Sequence, residues 1–254
     1  MNKFWKIIDK IKINPLTLAF IIFSILFGQG KPIFFYFIIS IIHELSHLIC
    51  CVAFNVTIDS FTILPFGVSM EVINIDKVSS FKQIIIYLAG PLSFIVTFLL
   101  FTIFKKNNLI NENNYNFIVK INYLMALFNM IPIYPLDGYR ILKAILQKFY
   151  PYKKSLKISN VISFINYVIF LIVNIFSLQI MLTFFLLTEQ IKNIKNFKMV
   201  YKYFLISKTN RKRYKKYKMI DDYQMYKDVN NYKLEDKDIL TDYEIATKEL
   251  KNYL

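Results

Sequence analysis

Long apolar runs separated by short polar breaks dominate the chain. The first run, residues 16–27, stops at Gly28-Gln29-Gly30-Lys31-Pro32, a tight turn. Runs at 33–54, 81–104 and 117–133 follow. The stretch 158–187 is too long for one crossing and divides near residues 174–177. Several runs approach the roughly 20 residues that carry a helix across a bilayer. The pattern predicts an all-α polytopic membrane protein with about six transmembrane helices. Residues 55–80 break the pattern. The stretch 57–64 alternates in the β manner, Pro65-Phe66-Gly67 makes a turn, and 68–75 alternates again. This predicts a short β-hairpin or re-entrant loop beside the helix of the second run. An edge strand here could align an extended peptide through main-chain hydrogen bonds, or the segment could serve only as a connection.

Charge orients the chain. Lys3, Lys6, Lys10 and Lys12 alternate with Phe4, Trp5, Ile7 and Ile8, which suits a cytosolic membrane interface. Arg140, Lys143, Lys148, Lys153, Lys154 and Lys157 read as a basic loop on the same side, so both termini are placed in the cytosol. Residues 1–190 form the predicted transmembrane domain, and 191–254 a basic cytosolic tail. The cluster from Lys208 to Lys216 suits anionic lipid, and residues 236–250 suit a short helix. Composition supports the membrane reading: the chain is 56% hydrophobic and 17% aromatic, with net charge +15, against about 45–50% apolar residues in a soluble domain. The charge is read as cytosolic anchoring. Nucleic acid is not expected as a partner, because no base-reading basic helix or zinc-finger spacing occurs. Cys50 and Cys51 are adjacent and build no disulfide framework; buried small hydrophobes fit them better than metal ligands.

The second run carries the chemistry. His43-Glu44-Leu45-Ser46-His47 has the His-Glu-x-x-His spacing. On a helix, residues four apart share a face, so His43 and His47 can point at one metal ion while Glu44 polarises a water molecule. These are the two histidines of the entire chain. A third protein ligand is therefore a carboxylate or a thiolate. The alternative is a pair of helix histidines meeting by accident, but ionisable groups inside an apolar run are costly unless used. Farther on, Asn129-Met130-Ile131-Pro132-Ile133-Tyr134-Pro135-Leu136-Asp137-Gly138 cannot continue a helix. Unwound backbone at that depth must line protein or a polar cavity. Asp137 is the candidate third ligand; its alternative role is to cap a helix starting near Tyr139.

Three motifs occur in order: His43-Glu44-Leu45-Ser46-His47, Ala89-Gly90-Pro91, and Asn129-x-x-Pro132-x-x-Pro135-Leu136-Asp137-Gly138. Together they resemble the signatures of the site-2 protease family of intramembrane metalloproteases, and within it the stage IV sporulation FB branch, which processes pro-sigma-K. The resemblance spans roughly residues 1–190. It implies one zinc ion held by His43, His47 and Asp137, Glu44 as catalytic acid and base, and Asn129 contacting or orienting substrate. Phe66-Gly67 resembles the family's membrane-associated loop. Val68 and Ser93-Phe94 depart from the family pattern, and the tail shows no clear CBS pattern. The resemblance also implies a membrane-associated protein substrate, with a pro-sigma factor in view, and membrane inhibitor proteins as regulators.

In mechanistic terms, Pro132, Pro135 and the 55–80 segment can receive an unwound substrate strand, and water reaches the site through a polar channel. The expected function is thus an intramembrane zinc metalloprotease cutting near the cytosolic face. An inactive membrane scaffold or regulator that keeps the fold is the alternative. A metal transporter is a weaker reading, since no second string of intramembrane carboxylates occurs.

Overall fold

The computed structural model describes residues 11–65, 67–73, 75–174, 180–209, 214–235 and 238–253. These are mostly helical, with two small sheets. The chain divides into two compact units, one of Met1–Ile75 and Ile85–Met130, the other of Asp76–Ile84 and Ile131–Leu254.

The first unit contains β1 (Ile11–Ile13), α1 (Pro15–Leu26), α2 (Gly30–Ala53), β2 (Thr57–Leu64), β3 (Gly67–Ile73), most of α3 (Ser80–Lys106) and α4 (Glu112–Met130). The helix α2 is apolar nearly all round, as a span should be. It ends where Asn55 takes a positive φ of 55°. The N–H groups of Phe54, Asn55 and Val56 donate back to the carbonyls of Cys50, Val52 and Cys51 and close the last turn.

The expected hairpin forms beside this helix. Strands β2 and β3 pair antiparallel, with Leu64 opposite Gly67 and a bulge between Ile58 and Ser60. Its turn is pinned to α2: the Val68 N–H donates to Ser40 Oγ at 2.9 Å. Gly67 has φ +121°, and a Cβ there would lie 2.6 Å from Ser40 Oγ, so the position requires glycine. One strand was not expected. Ile11-Lys12-Ile13, part of the segment read as a membrane-surface stretch, pairs parallel to β2. An unpaired strand edge offers N–H and C=O groups that a short alternating segment satisfies. Residues 1–10 of that stretch lie outside the described residues. The sheet order β1-β2-β3 leaves β3 as an edge strand among the described residues. Ile39, Phe101 and Ile118 form a buried contact linking α2, α3 and α4.

The second unit holds residues 76–84, α5 (Asp137–Phe149), α6 (Tyr152–Asn174), α7 (Ile180–Lys195), α8 (Phe197–Thr209), β4 (Tyr217–Met219), β5 (Asn230–Glu235), β6 (Asp238–Leu240) and α9 (Asp242–Lys251). The basic stretch read as a loop is helical: it forms α5 and the start of α6. Tyr139, Ile141, Ala144 and Gln147 are buried along α5, with Arg140 and Lys143 half-buried among them and Lys148 exposed. Charge and apolar positions interleave, so the density of charge masked the helix. The division of the run 158–187 falls between Asn174 and Ile180, mostly outside the described residues.

Residues after 196, read as a tail, fold around a core of Tyr201, Phe204, Leu205, Ile220, Met225, Ile245 and Ala246. The sheet β4-β5-β6 in this region was not expected. The helix expected over 236–250 starts at Asp242, because Thr241 and Glu244 form a capping box.

Among the described residues, three helices are long and apolar enough to cross a membrane: α2, α3, and Tyr152–Val173 of α6. The other apolar runs give shorter or more charged helices. The helix α1 has 12 residues, α7 has 16 and ends in Lys192 and Lys195, and α4 has 19 and includes Lys120.

Candidate metal centre

The fourfold spacing places His43 and His47 on one buried face of α2. Their Nε2 atoms lie 3.3 Å apart, with the rings edge to face and centroids 4.9 Å apart. His47 Nδ1 lies 2.6 Å from the Ile86 carbonyl oxygen on α3. A carbonyl can only accept, so Nδ1 carries the proton and Nε2 keeps its lone pair. Glu44, half-buried, completes a group in which one ligand atom from each of the three residues lies within 4.8 Å of the others.

Gly90 of α3 faces this pair. A Cβ built there would overlap His47 Nε2 and lie 2.6 Å from His43 Nε2. Any side chain would therefore fill the space on which the two imidazoles converge. That space fits zinc. Two nitrogens bound at about 2.0–2.1 Å to one tetrahedral ion stand about 3.3–3.4 Å apart, the separation observed. His43, Gly90, Pro91, Ser93, Asn122 and Met125 line one recess here. Asn122, buried on α4, donates its Nδ2–H to the Phe94 carbonyl of α3 at 2.8 Å and so ties the two helices beside His43.

The other predicted residues are distributed as follows. Asn129 is on the last turn of α4 and donates Nδ2–H to the Met125 carbonyl at 3.0 Å. Gly67 is at the hairpin turn against Ser40, and Phe66 lies outside the described residues. Pro132, Pro135 and Asp137 belong to the second unit. Residues 131–136 are non-helical, held by the Tyr134 N–H donating to Ser163 Oγ at 2.8 Å and the Leu136 N–H to the Ile133 carbonyl at 2.8 Å. Asp137 is buried and is the first residue of α5, with Leu136 at the cap position. The helix thus starts two residues earlier than the capping alternative assumed, and Asp137 sits inside its first turn, where the dipole favours a carboxylate. Cys51 is buried and Cys50 partly so, and neither joins the His-Glu-His group.

Comparison with known proteins extends this picture. Residues 105–173 match the family described as peptidase family M50. The chain is 35% identical over 150 residues to the zinc metalloprotease MJ0392 of Methanocaldococcus jannaschii, covering 58% of this chain and 43% of that protein. It is 28% identical over 155 residues to stage IV sporulation protein FB of Bacillus subtilis, covering 61% of this chain and 54% of that one. It also matches the solved structure of a site-2 protease from M. jannaschii, with TM-score 0.54 and 27% identity over 73% of this chain and 89% of that chain. The chain resembles the site-2 protease type of M50 peptidase. It spans about half the length of the curated relatives it matches. Their similar identities do not single out the sporulation branch. The M50 stretch takes in Asn129 and Asp137, while the histidine pair precedes it. With its three membrane-length helices, the chain is a multi-pass integral membrane protein.

Three contributors were not singled out from sequence: the Ile86 carbonyl, Ser40 and Asn122. Asn122 did leave a signal, since it precedes Asn129 by about two helical turns and shares its face.

Proposed function

We propose that this protein is an intramembrane zinc endopeptidase that cuts a membrane-associated protein near the cytosolic face. The observation that carries the reading is the convergence of His43 and His47 Nε2, 3.3 Å apart, beside Gly90, where a Cβ would meet both rings, with Glu44 in the same group. Asp137 is the third ligand in this reading, supported by its burial after the Pro132–Pro135 break and by the M50 similarity of that stretch. Zinc held by these residues would activate water for attack and polarise the scissile carbonyl. Glu44 takes a proton from the water and delivers it to the leaving amine. The Ile86 carbonyl keeps His47 in the tautomer that presents Nε2.

A helical peptide bond is shielded, so the substrate must unwind. The β3 edge, anchored to α2 at Ser40, offers main-chain groups to an extended strand. Asn129, Pro132, Pro135, Phe66 and Gly67 are the proposed substrate contacts. In the full reading α1, α4 and α7 complete six crossings, and both termini are cytosolic. Similarity to stage IV sporulation protein FB makes a pro-sigma factor the first substrate to try and a membrane inhibitor protein the expected regulator. The test is co-expression with candidate pro-sigma factors, scored by a size shift. Wild type should cleave, and Glu44→Gln should keep about one zinc per chain and lose cleavage by about 10²–10⁴-fold. An active Glu44→Gln would exclude the mechanism, and a metal-free His43→Ala protein with full biological activity would favour a scaffold.

A further inference from the structure

We propose that the C-terminal module docks on the surface of the bilayer through one open face of its sheet, and that the face recognises anionic lipid. The register fixes which residues share that face. Tyr217 pairs with Asn230 and Met219 with Tyr232, and Leu234 pairs with Ile239. Side chains of paired residues point the same way, and alternate residues along a strand repeat the direction. Tyr217, Met219, Asn230, Tyr232, Leu234 and Ile239 therefore form one face, without a charged residue among them.

The opposite face is covered by α9 at its middle, with Lys218 and Asp238 exposed at its ends. Asn231 bonds to Asp242 of α9 at 2.8 Å, Glu235 accepts from Lys248 of α9 at 2.9 Å, and Leu240 packs on the core. The apolar face has the reverse character: Tyr217 is 77% exposed, Leu234 61%, Ile239 60% and Met219 54%. In water, a contiguous exposed apolar patch marks an interaction site.

Two observations assign lipid as the occupant. The first is position. Tyr152 and Leu156, at the start of the membrane-length helix α6, lie inside the module's own core. Tyr152 stacks on Phe204 with centroids 3.8 Å apart, and its N–H donates to the Met225 carbonyl at 2.9 Å. The module is thus built onto the end of a span, at the level where headgroups begin. The second is charge. Lys215 and Lys216, both exposed, lead directly into β4 at the rim of the face. The exposed Asp221, Asp222 and Asp238 lie at the other strand ends. Tyrosines and aliphatic side chains with Lys215 and Lys216 beside them match the headgroup region of an anionic membrane at that β4 end.

The test places a photo-crosslinking amino acid at Leu234 or Ile239 of the full chain in nanodiscs, with the exposed Lys248 of α9, across the sheet from that face, as control. Adducts are identified by mass spectrometry with and without phosphatidylglycerol. Lipid adducts at Leu234 and Ile239, several-fold above Lys248 and several-fold higher with the anionic lipid, are expected. Lys215→Glu with Lys216→Glu should erase the phosphatidylglycerol dependence. Chain-to-chain adducts would instead assign the face to a second copy, and adducts no higher than at Lys248 would leave it without a lipid partner; either result overturns the proposal. Neither readout depends on proteolysis.

Discussion

The histidine pair of α2 and the buried lysines of the C-terminal module are both polar groups in apolar surroundings, and they are satisfied in opposite ways. Lys208 donates to the Val229 carbonyl at 2.8 Å and faces Asp242 at 3.5 Å. Lys227 donates to Gln147 Oε1 at 3.2 Å. These groups close upon protein partners. Burial still pulls both ammonium groups down to about 8. In the first unit His47 Nδ1 also closes on the Ile86 carbonyl, but the Nε2 atoms of His43 and His47 converge on each other beside Gly90. A polar group that closes on a carbonyl or carboxylate holds a fold together. Two ring nitrogens that converge are arranged to share a metal ion.

Displacing that pair should have the largest effect. Gly90→Val drives a side chain into both imidazoles, so zinc should fall from about one per chain to background and cleavage should vanish. Full zinc occupancy in that variant, by metal analysis, would refute the assignment of the space. A smaller loss is expected from Asn122→Leu, which removes the tie to the Phe94 carbonyl beside His43. It should lower kcat about tenfold with zinc retained, in line with one buried hydrogen bond; an unchanged kcat would reduce Asn122 to packing. Ser40→Ala leaves the Val68 N–H without its acceptor. It should raise KM about two- to tenfold, because the hairpin edge and not the metal is disturbed.

The smallest effect belongs to the lysines. Their folded pKa values lie below the ordinary lysine value, so between about pH 8 and 10 the unfolded chain binds more protons than the folded one. Module stability should rise through that window, and Lys208→Met with Lys227→Met should flatten the rise in thermal melts.

The three membrane-length helices were legible because their signal is composition over about 20 residues, which local detail does not blur. The runs at 33–54 and 81–104 correspond to α2 and α3 within a few residues. The His-Glu-x-x-His spacing was legible because a helix converts it directly into one face. The Ile86 carbonyl was not, since every residue carries one and only tertiary packing selects it. Nor was the sheet of the C-terminal module: β4 and β6 have three residues each, too short for alternation to register. The helix α5 was hidden for a different reason, because basic residues interleave with its buried Tyr139, Ile141 and Ala144 and read as a loop.

The central proposal is a zinc ion held by His43 and His47 of α2, with Asp137 as the proposed third ligand. Zinc-edge X-ray absorption on the purified wild type and on Asp137→Asn tests it most directly. The account predicts two imidazoles with oxygen donors in the wild type, and in the variant the same two imidazoles with a changed oxygen shell and weaker zinc retention. An identical spectrum and unchanged zinc affinity in Asp137→Asn would contradict it.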